Sequence, residues 1–376
     1  TVPGGTLHRH RSVVILYGMF DDCEAEAGAA EFAAAGPVHP VKALENARQV
    51  LAGDSAAIIC NLQDDDVFLD ADAGLSLVLA GPAEVVEPFA QRYQGRVTPL
   101  AATEVIGMGE HPVRAVRKKR DSSIVVGCHA VADGRADAFF SAGSTGACMS
   151  AATLIIGRIK GVERPALATI VPSPVKPIVL LDVGANADCK PEYLVQFAEM
   201  GRIYSKLMLG VQHPTIALLN IGEEEYKGST AAQEAHRLMS EQVGDFKGNA
   251  EGGDLLEATY DVVVSDGFTG NVALKTIEGT AKTLFSALKE TMMSSTKNKM
   301  AAAVLKPAFS ELKNSISADT YGGAPLLGLK GAVVIGHGSS GPAAIANGVR
   351  AAAEAARNEL PASIAQALHL EEGVRA

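Results

Sequence analysis

Short runs of β-branched and aliphatic residues recur along this chain, and most of them end in a turn that is rich in glycine. Continuous apolar runs of this length are typical of strands buried on both faces, as in a parallel sheet. Examples are Val13–Leu16, Leu75–Leu79, Ile178–Leu181, Ile216–Leu219, Val262–Val264 and Ala332–Ile335. Helical patterns lie between them at Val38–Leu51, Glu192–Leu209, Ala231–Val243 and Gly270–Leu288. This order predicts an α/β fold with a mostly parallel central sheet and helices on both faces.

The length of 376 residues permits one large domain or two smaller ones. Because the chain has no internal repeat and no long low-complexity linker, we expect a single α/β domain over residues 1–376. Within it, residues 289–320 are predicted to protrude as a helical segment, and residues 347–376 to form a C-terminal helix.

Composition and charge exclude several classes of protein. No segment is apolar for about 18 residues or more, and the first residues lack the apolar core of a signal peptide. Five dispersed cysteines indicate reduced thiols, and the net charge of −10 argues against nucleic acid as a partner. The His, Asp and Glu spacing indicates no metal site. We therefore expect a cytoplasmic protein that needs no metal and no cofactor.

Four turns that follow predicted strands are rich in Gly, Ser, Thr and Asn. They are Ser141–Ala147, Asp182–Asn186, Ser265–Asn271 and Gly336–Ser340. Glycine lets a backbone approach a ligand closely, and N–H groups at the start of a helix attract an anion. Since the ends of parallel strands share one edge, we expect these turns to meet there and bind phosphate or an oxyanion. None matches a Walker or dinucleotide-binding pattern, so nucleotide binding is not predicted.

Two further features have more than one interpretation. The basic clusters at 114–120 and 158–164 are either solvated faces or a docking surface for an acidic partner. The segment Met292–Leu312 has apolar residues near helical spacing and flanking lysines, and Pro307 is predicted to break it into two helices. Such a segment can contact an anionic membrane, form a dimer interface or pack into the core.

The turns and their flanks, taken in chain order, resemble the bacterial phosphate acyltransferase family of phospholipid synthesis. These enzymes are acyl-acyl carrier protein:phosphate transacylases, known as PlsX. The matching segments are His111–Lys118, Ser141–Ala147, Gly157–Gly161, Arg164–Ala166, Leu181–Asn186, Asn220–Gly222, Asp266–Asn271, Leu274–Thr276, Tyr321–Ala324 and His337–Ser340. The opening segment Tyr17–Cys23 departs from the family pattern Asp-Ala-Met-Gly-Gly-Asp-His, because it keeps Met19 and Asp22 but has Phe20 in place of a glycine.

The resemblance implies that inorganic phosphate attacks the thioester of acyl-acyl carrier protein and releases an acyl phosphate. No covalent enzyme intermediate is needed, because phosphate is itself a nucleophile that must be held and whose developing oxyanion must be stabilised. The resemblance also implies an architecture related to phosphate acetyltransferase and isocitrate dehydrogenase, a homodimer, and peripheral membrane contact through residues 292–312.

On this reaction we assign three groups of site residues. The candidate catalytic residues are His337, Lys190, Asn186 and Asn271. The candidate substrate-binding residues are Ser141, Gly143, Ser144, Thr145, Gly146, Asp182, Gly184, Asp266, Gly267, Thr269, Gly270, Lys275, Ser339 and Ser340. Carrier-protein docking is assigned to Arg114, Arg117, Lys118, Lys119 and Arg158. Imidazole can act as acid, base or hydrogen-bond donor near neutral pH, and lysine supplies positive charge.

Two other functions stay open. A phosphate acetyl- or butyryltransferase would use an acyl group on coenzyme A within a related architecture, and fold alone does not separate the two. A non-catalytic, membrane-associated scaffold of lipid synthesis would bind its partners and form no acyl phosphate. The basic cluster at 114–120 favours an acidic carrier protein over coenzyme A.

Overall fold

The computed structural model describes residues 11–16, 75–93, 95–315 and 321–368. The predicted helix Val38–Leu51 and the opening motif Tyr17–Cys23 lie outside these residues. The strands are β1 (Arg11–Leu16), β2 (Leu75–Gly81), β3 (Val97–Ala101), β4 (Ala138–Ser141), β5 (Ala166–Val171), β6 (Ile178–Leu181), β7 (Ile216–Leu219), β8 (Phe246–Ala250), β9 (Val262–Val264), β10 (Ala324–Leu327) and β11 (Ala332–Ile335).

The helices alternate with these strands for most of the chain. They are α1 (Ala83–Arg92), α2 (Pro112–Lys118), α3 (Ser123–Ala132), α4 (Thr145–Ala151), which continues as a π-helical turn (Ala152–Ile156), α5 (Pro191–Met208), α6 (Thr230–Gln242), α7 (Asp254–Glu257), α8 (Gly267–Met293), α9 (Thr296–Ser315), α10 (Pro342–Arg357) and α11 (Leu360–Ala367). The predicted α/β fold is confirmed.

The chain divides into two compact units, one containing residues 1–157 and 333–356 and the other residues 158–332 and 357–376. In the first unit the strand order is β3-β2-β1-β4-β11, and β1 pairs in parallel with both β2 and β4. The backbone N–H of Gly336, which follows β11, donates to the carbonyl of Ser141 at 2.8 Å. The ends of β4 and β11 therefore lie side by side. The single-domain organisation stays a prediction.

In the second unit the strand order is β10-β5-β6-β9-β7-β8. The strands β6, β7, β8 and β9 pair in parallel, whereas β5 is antiparallel to both β6 and β10. Every residue of β6 and of β9 is fully buried, as expected for continuous apolar runs. Helix α5 packs closely on this sheet, because a Cβ at Gly201 would lie only 2.6 Å from Val262 Cγ1.

The segment predicted to protrude forms the end of α8 and the helix α9, which pack against each other. The prediction of a break at Pro307 is wrong, since α9 runs through this residue and the chain breaks at 294–295. Side-chain hydrogen bonds stabilise the break between the two helices. The hydroxyl of Ser295 accepts from the backbone N–H of Asn298 at 3.1 Å, and Asn298 Nδ2 donates to the carbonyl of Thr291 at 3.1 Å.

The region 347–376, predicted as a C-terminal helix, contains most of α10 and the helix α11. Glu359 separates the two helices and adopts a left-handed conformation, with φ of 52°. Among the described residues, no helix is both long enough and apolar enough to cross a membrane.

Candidate functional site

The turn after β6 is organised around one carboxylate, that of Asp182. This side chain is fully buried and accepts hydrogen bonds from five N–H donors. Its Oδ1 accepts from the backbone N–H groups of Leu167 (3.0 Å), Gly184 (3.1 Å) and Ala185 (2.9 Å). Its Oδ2 accepts from the backbone N–H and from Nδ2 of Asn186, at 2.8 and 2.9 Å. Asp182 therefore fixes the shape of the turn, where substrate contact was predicted.

Opposing effects act on the pKa of Asp182. Burial raises the pKa, whereas the hydrogen bonds from Ala185, Asn186 and Leu167 lower it, and the net direction is upward. Asn186 also has a structural role, because its second amide hydrogen goes to the carbonyl of Pro165 at 2.8 Å. The amide group that was predicted to contact substrate thus joins the turn to the start of β5.

The turn after β9 lies directly against the turn after β6. Gly267 donates its backbone N–H to the carbonyl of Asn186 at 2.7 Å. A Cβ at Gly270 would lie 2.0 Å from the carbonyl oxygen of Asp182, so only glycine fits there. Asp266 begins helix α8 as its N-cap, and its carboxylate accepts from the backbone N–H and the hydroxyl of Thr269, both at 2.8 Å.

A cleft of about 350 Å³ opens beside this pair of turns, and we call it the second-unit cleft. Its floor includes the end of β7, and its walls include the N-termini of α6 and α8. Ser229 is the N-cap of α6, and its hydroxyl accepts from the backbone N–H of Ala232 at 3.2 Å. Two helices of 13 and 27 residues thus present their positive ends to one cleft. Helix N-termini attract an anion, and the carboxylates of Asp188 and Asp266, which also line the cleft, oppose that attraction.

Several residues that line the second-unit cleft were not assigned to the site from the sequence, namely Asp188, Cys189, Ser229 and Phe268. Ser229 carries a readable signal, since it follows Gly228 and precedes the helical pattern Ala231–Val243. Nothing in the local sequence marks Cys189 as a cleft residue, because its place depends on the contact between the two turns.

Cys189 is unsuited to act as a nucleophile. Burial, assisted by the negative charges of Asp182, Asp266 and Asp188, raises the pKa of its thiol to about 12. The thiolate is the reactive form, so this cysteine stays protonated and unreactive near neutral pH. The same holds for Cys148 in the first unit, where burial raises the thiol pKa to about 12.

The lysines assigned to the site have different surroundings. Lys190 immediately precedes α5 and is exposed, with Nζ 6.0 Å from the ring centre of Tyr193. Lys275 lies about two turns into α8 and pairs with Glu278, its Nζ 2.6 Å from Oε2. This ion pair is exposed, and it engages the ammonium group of Lys275 that was predicted to bind phosphate. Asn271 is exposed in the second turn of α8.

In the first unit, the turn after β4 is held by its own serines. The buried Oγ of Ser141 accepts from the backbone N–H of Gly143 at 3.0 Å. Ser144 caps α4, its Oγ accepting from the backbone N–H of Ala147 at 3.4 Å, and Thr145 beside it is exposed. A Cβ at Gly146 would lie 2.6 Å from Pro112 Cγ, so this turn packs against the start of the basic helix α2.

His337 lies in the turn after β11, adjoining the turn after β4 through the bond from Gly336 to Ser141. Its Nδ1 accepts from the backbone N–H of Ser339 at 3.2 Å and lies 2.8 Å from the Ser339 hydroxyl. A backbone N–H can only donate, so the neutral imidazole carries its proton on Nε2. The carbonyl of His337 accepts from Ser340 N–H at 2.9 Å. The exposed ring is therefore oriented as an Nε2–H donor.

The residues assigned to carrier-protein docking divide into two kinds. Arg114, Arg117 and Lys118 are exposed on α2. Lys119 is instead half-buried, with Nζ 2.6 Å from both the carbonyl of Val105 and Glu110 Oε1. Arg158 donates from Nη1 to the carbonyls of Val162 and Glu163, which closes its own loop.

Within the described ranges, no group of three or more His, Cys, Asp or Glu side chains is arranged to hold a metal ion.

Comparison with known proteins reveals extensive similarity. Residues 68–363 match the family described as "Fatty acid synthesis protein". The phosphate acyltransferase of Bacillus pumilus (strain SAFR-032) is 44% identical over 324 residues, which cover 85% of this chain and 96% of the relative. That of Geobacillus thermodenitrificans (strain NG80-2) is 47% identical, covering 77% of this chain and 88% of the relative.

Among solved structures, the EutD phosphotransacetylase from Staphylococcus aureus matches with a TM-score of 0.52. The match covers 93% of this chain and 95% of that chain at 15% identity. At this identity the likeness shows the fold alone, and it confirms the predicted relation to phosphate acetyltransferase architecture.

Proposed function

The chain belongs to the phosphate acyltransferase family, and on that premise we propose that it transfers a fatty acyl group from acyl carrier protein to inorganic phosphate. A phosphate oxygen attacks the thioester carbonyl, the carbon–sulfur bond breaks, and the carrier thiol leaves as the acyl phosphate forms. The observation that carries the proposal is an identity of 44–47% over most of the chain with relatives named phosphate acyltransferase.

Phosphate itself is the nucleophile in this proposal. The thiols that adjoin the turns are held protonated by burial, and Ser141 is buried and bonded to its own turn. The protein's task is then to hold phosphate against the carbonyl and to stabilise the oxyanion that develops. In the second unit, the helix N-termini at Ser229 and Asp266 supply N–H donors, and Lys190 supplies a positive charge.

His337 is proposed as the hydrogen-bond donor of the first unit. The Ser339 backbone N–H holds the ring through Nδ1, which leaves Nε2–H to donate. Asp182 and Asn186 shape the turn that precedes the cleft residues Ala187–Cys189. Their assigned roles in substrate binding and catalysis stay predictions.

The test of the proposed function uses purified protein, acyl-acyl carrier protein and radiolabelled phosphate, with hydroxylamine added to trap an acyl phosphate as its hydroxamate. We expect hydroxamate only when phosphate and the acyl donor are both present. Product from acyl-coenzyme A but not from acyl-acyl carrier protein would favour the phosphate acetyl- or butyryltransferase reading. Binding of acyl carrier protein without product from either donor would favour the scaffold.

We also propose α2 as the docking surface for acyl carrier protein. Arg114, Arg117 and Lys118 face solvent, and α2 packs through Pro112 against the turn that contains Gly146. Reversing Arg114 and Arg117 to Glu is expected to raise KM for the acyl carrier protein and leave KM for phosphate unchanged. Equal KM values for the double variant and the wild type would exclude α2 from docking.

Peripheral membrane contact is proposed for the α8–α9 helix pair. Leu284, Met293, Met300 and Val304 are between 53% and 80% exposed, and lysines flank them. This combination suits an anionic lipid surface. Val304→Glu is expected to reduce co-sedimentation with anionic liposomes, whereas Gln242→Glu, which adds the same charge on α6, leaves it unchanged. Equal sedimentation of the two variants would contradict the proposal, and a loss of dimer in Val304→Glu would assign the face to the homodimer.

A further inference from the structure

One aromatic ring in the second unit is approached by two cations. The ring belongs to Tyr193, in the first turn of α5. The guanidinium carbon of Arg164 lies 5.8 Å from its centre, and Lys190 Nζ lies 6.0 Å from the same centre. These distances are near the outer limit of about 6 Å for an attraction between a cation and a ring face.

Among the described residues, no carboxylate pairs with either cation. In the described part of the chain, neither Arg164 nor Lys190 forms a salt bridge, whereas other exposed cations such as Lys275 do. Both charged groups lie within 6.0 Å of the same ring centre. An anion bound by both would gain charge-assisted hydrogen bonds.

The backbone that carries these cations is fastened in place. Next to Arg164, the carbonyl of Pro165 accepts from Asn186 Nδ2 at 2.8 Å. The preceding segment is tied to α5 by Gln196, whose Oε1 accepts from Glu163 N–H at 2.9 Å and whose Nε2 donates to the Gly161 carbonyl at 3.0 Å. The backbone on one side of Arg164 is thus bonded to the Asp182 turn, and the backbone on the other side is bonded to α5, which begins directly after Lys190.

We infer that Arg164 and Lys190 form a clamp for one phosphoryl anion and that Tyr193 is the positioning residue that holds both cations towards it. The inference rests on the proposed function, and it adds Arg164 and Tyr193 to the residues that serve it. The anion is either inorganic phosphate or the phosphodiester in the arm that carries the acyl group on its donor. Both ligands present phosphate oxyanions, and steady-state kinetics with each substrate varied in turn distinguish them.

The test compares Arg164→Gln, Tyr193→Leu and Tyr193→Phe in steady-state kinetics, with each substrate varied in turn. Lys206→Gln is the matched control, since it removes an exposed cation from the far end of α5. We expect KM for the anion-bearing substrate to rise by about tenfold or more in Arg164→Gln, the effect of losing a charge-assisted bond. Tyr193→Leu is expected to raise KM several-fold with little change in kcat.

Tyr193→Phe is the decisive conservative variant, because it keeps the ring face and removes only the hydroxyl. We expect KM within about twofold of wild type. A rise in KM for phosphate identifies inorganic phosphate as the ligand, and a rise in KM for the acyl donor identifies its phosphodiester. Unchanged KM values for both substrates in Arg164→Gln would overturn the clamp, and so would a Tyr193→Phe defect equal to that of Tyr193→Leu.

A second measurement separates this inference from the proposed function. Inorganic phosphate without any acyl donor is expected to raise Tm of the wild type, because a ligand that binds only the folded state stabilises it. The shift should be much smaller in Arg164→Gln and unchanged in Lys206→Gln. If the wild type forms no acyl phosphate, the proposed function fails, while the Tm shifts still test anion binding. Equal shifts in wild type and Arg164→Gln, together with unchanged KM values, reject the clamp.

Discussion

Replacing Asp182 by Asn tests whether one carboxylate holds the turn after β6. The substitution keeps the size and shape of the side chain but changes one oxygen into an NH₂ group. If that group takes the place of Oδ2, it faces the backbone N–H and Nδ2 of Asn186, which lie 2.8 and 2.9 Å from Oδ2. Two half-buried donors then lose their acceptor.

The magnitude follows from this count. A fully buried donor without a partner costs about 1–3 kcal/mol, so about 2–6 kcal/mol is the upper range for two half-buried donors. Burial raises the pKa of Asp182, which means that the ionised carboxylate is partly penalised in the folded protein. Neutralising it recovers some of that penalty. We therefore expect the free energy of unfolding to fall by about 2–4 kcal/mol.

The assay is urea unfolding followed by far-UV circular dichroism, with linear extrapolation to water. Asp266→Asn is the matched control, because Asn is as good an N-cap as Asp and the turn keeps its bond to Thr269. Its expected loss is below about 1 kcal/mol. A loss for Asp182→Asn no larger than that of the control would refute the argument that five converging donors require a carboxylate.

Three further outcomes follow from the second unit. Gly270→Ala places a Cβ 2.0 Å from a backbone oxygen and should lower Tm sharply. Gly279→Ala in the same helix meets open space and should raise the free energy of unfolding by up to about 1 kcal/mol. Similar Tm values for the two variants would contradict this. Burial raises the pKa of Asp261, but hydrogen bonds from Lys176 and Thr215 outweigh burial and the net pKa lies below 3.8. The stability that the ionised Asp261 adds to the fold is therefore present above pH 3.8 and is lost as the pH falls through the folded-state pKa. Melting curves of Asp261→Asn should therefore differ from wild type at pH 7 and converge in acid; a constant difference would contradict this. Lys190→Ala should reduce acyl-phosphate formation by about tenfold or more, and unchanged turnover would remove Lys190 from the site.

Much of the α/β framework was readable from local patterns. The runs Ile178–Leu181, Ile216–Leu219, Val262–Val264 and Ala332–Ile335 are strands with the predicted bounds. Their aliphatic residues match the buried environment of a parallel sheet, so local preference and tertiary packing agree. The strand β5 was missed because its apolar residues are interrupted by Ala and Thr, and its antiparallel pairing depends on β6 and β10.

The candidate site was less readable, because its contacts join distant parts of the chain. Asp182 and Asn186 look like ligand-binding residues in a Gly-rich turn, but their partners Leu167 and Pro165 lie across the sheet or in another loop. Local patterns were informative where a contact is local. The pairing of Lys275 with Glu278 is an i, i+3 contact within one helix and could have been predicted. The ring of Tyr193 was overlooked because one of its cations comes from 29 positions earlier in the chain.

The carboxylate of Asp182 also has a consequence for how fast a ligand can be captured. A flexible Gly-rich loop would sample many shapes, and only a fraction of encounters would find it ready to bind. Here the internal hydrogen bonds select one shape before any ligand arrives. The conformational entropy of that loop is therefore lost during folding, and a ligand that binds beside it does not have to order it.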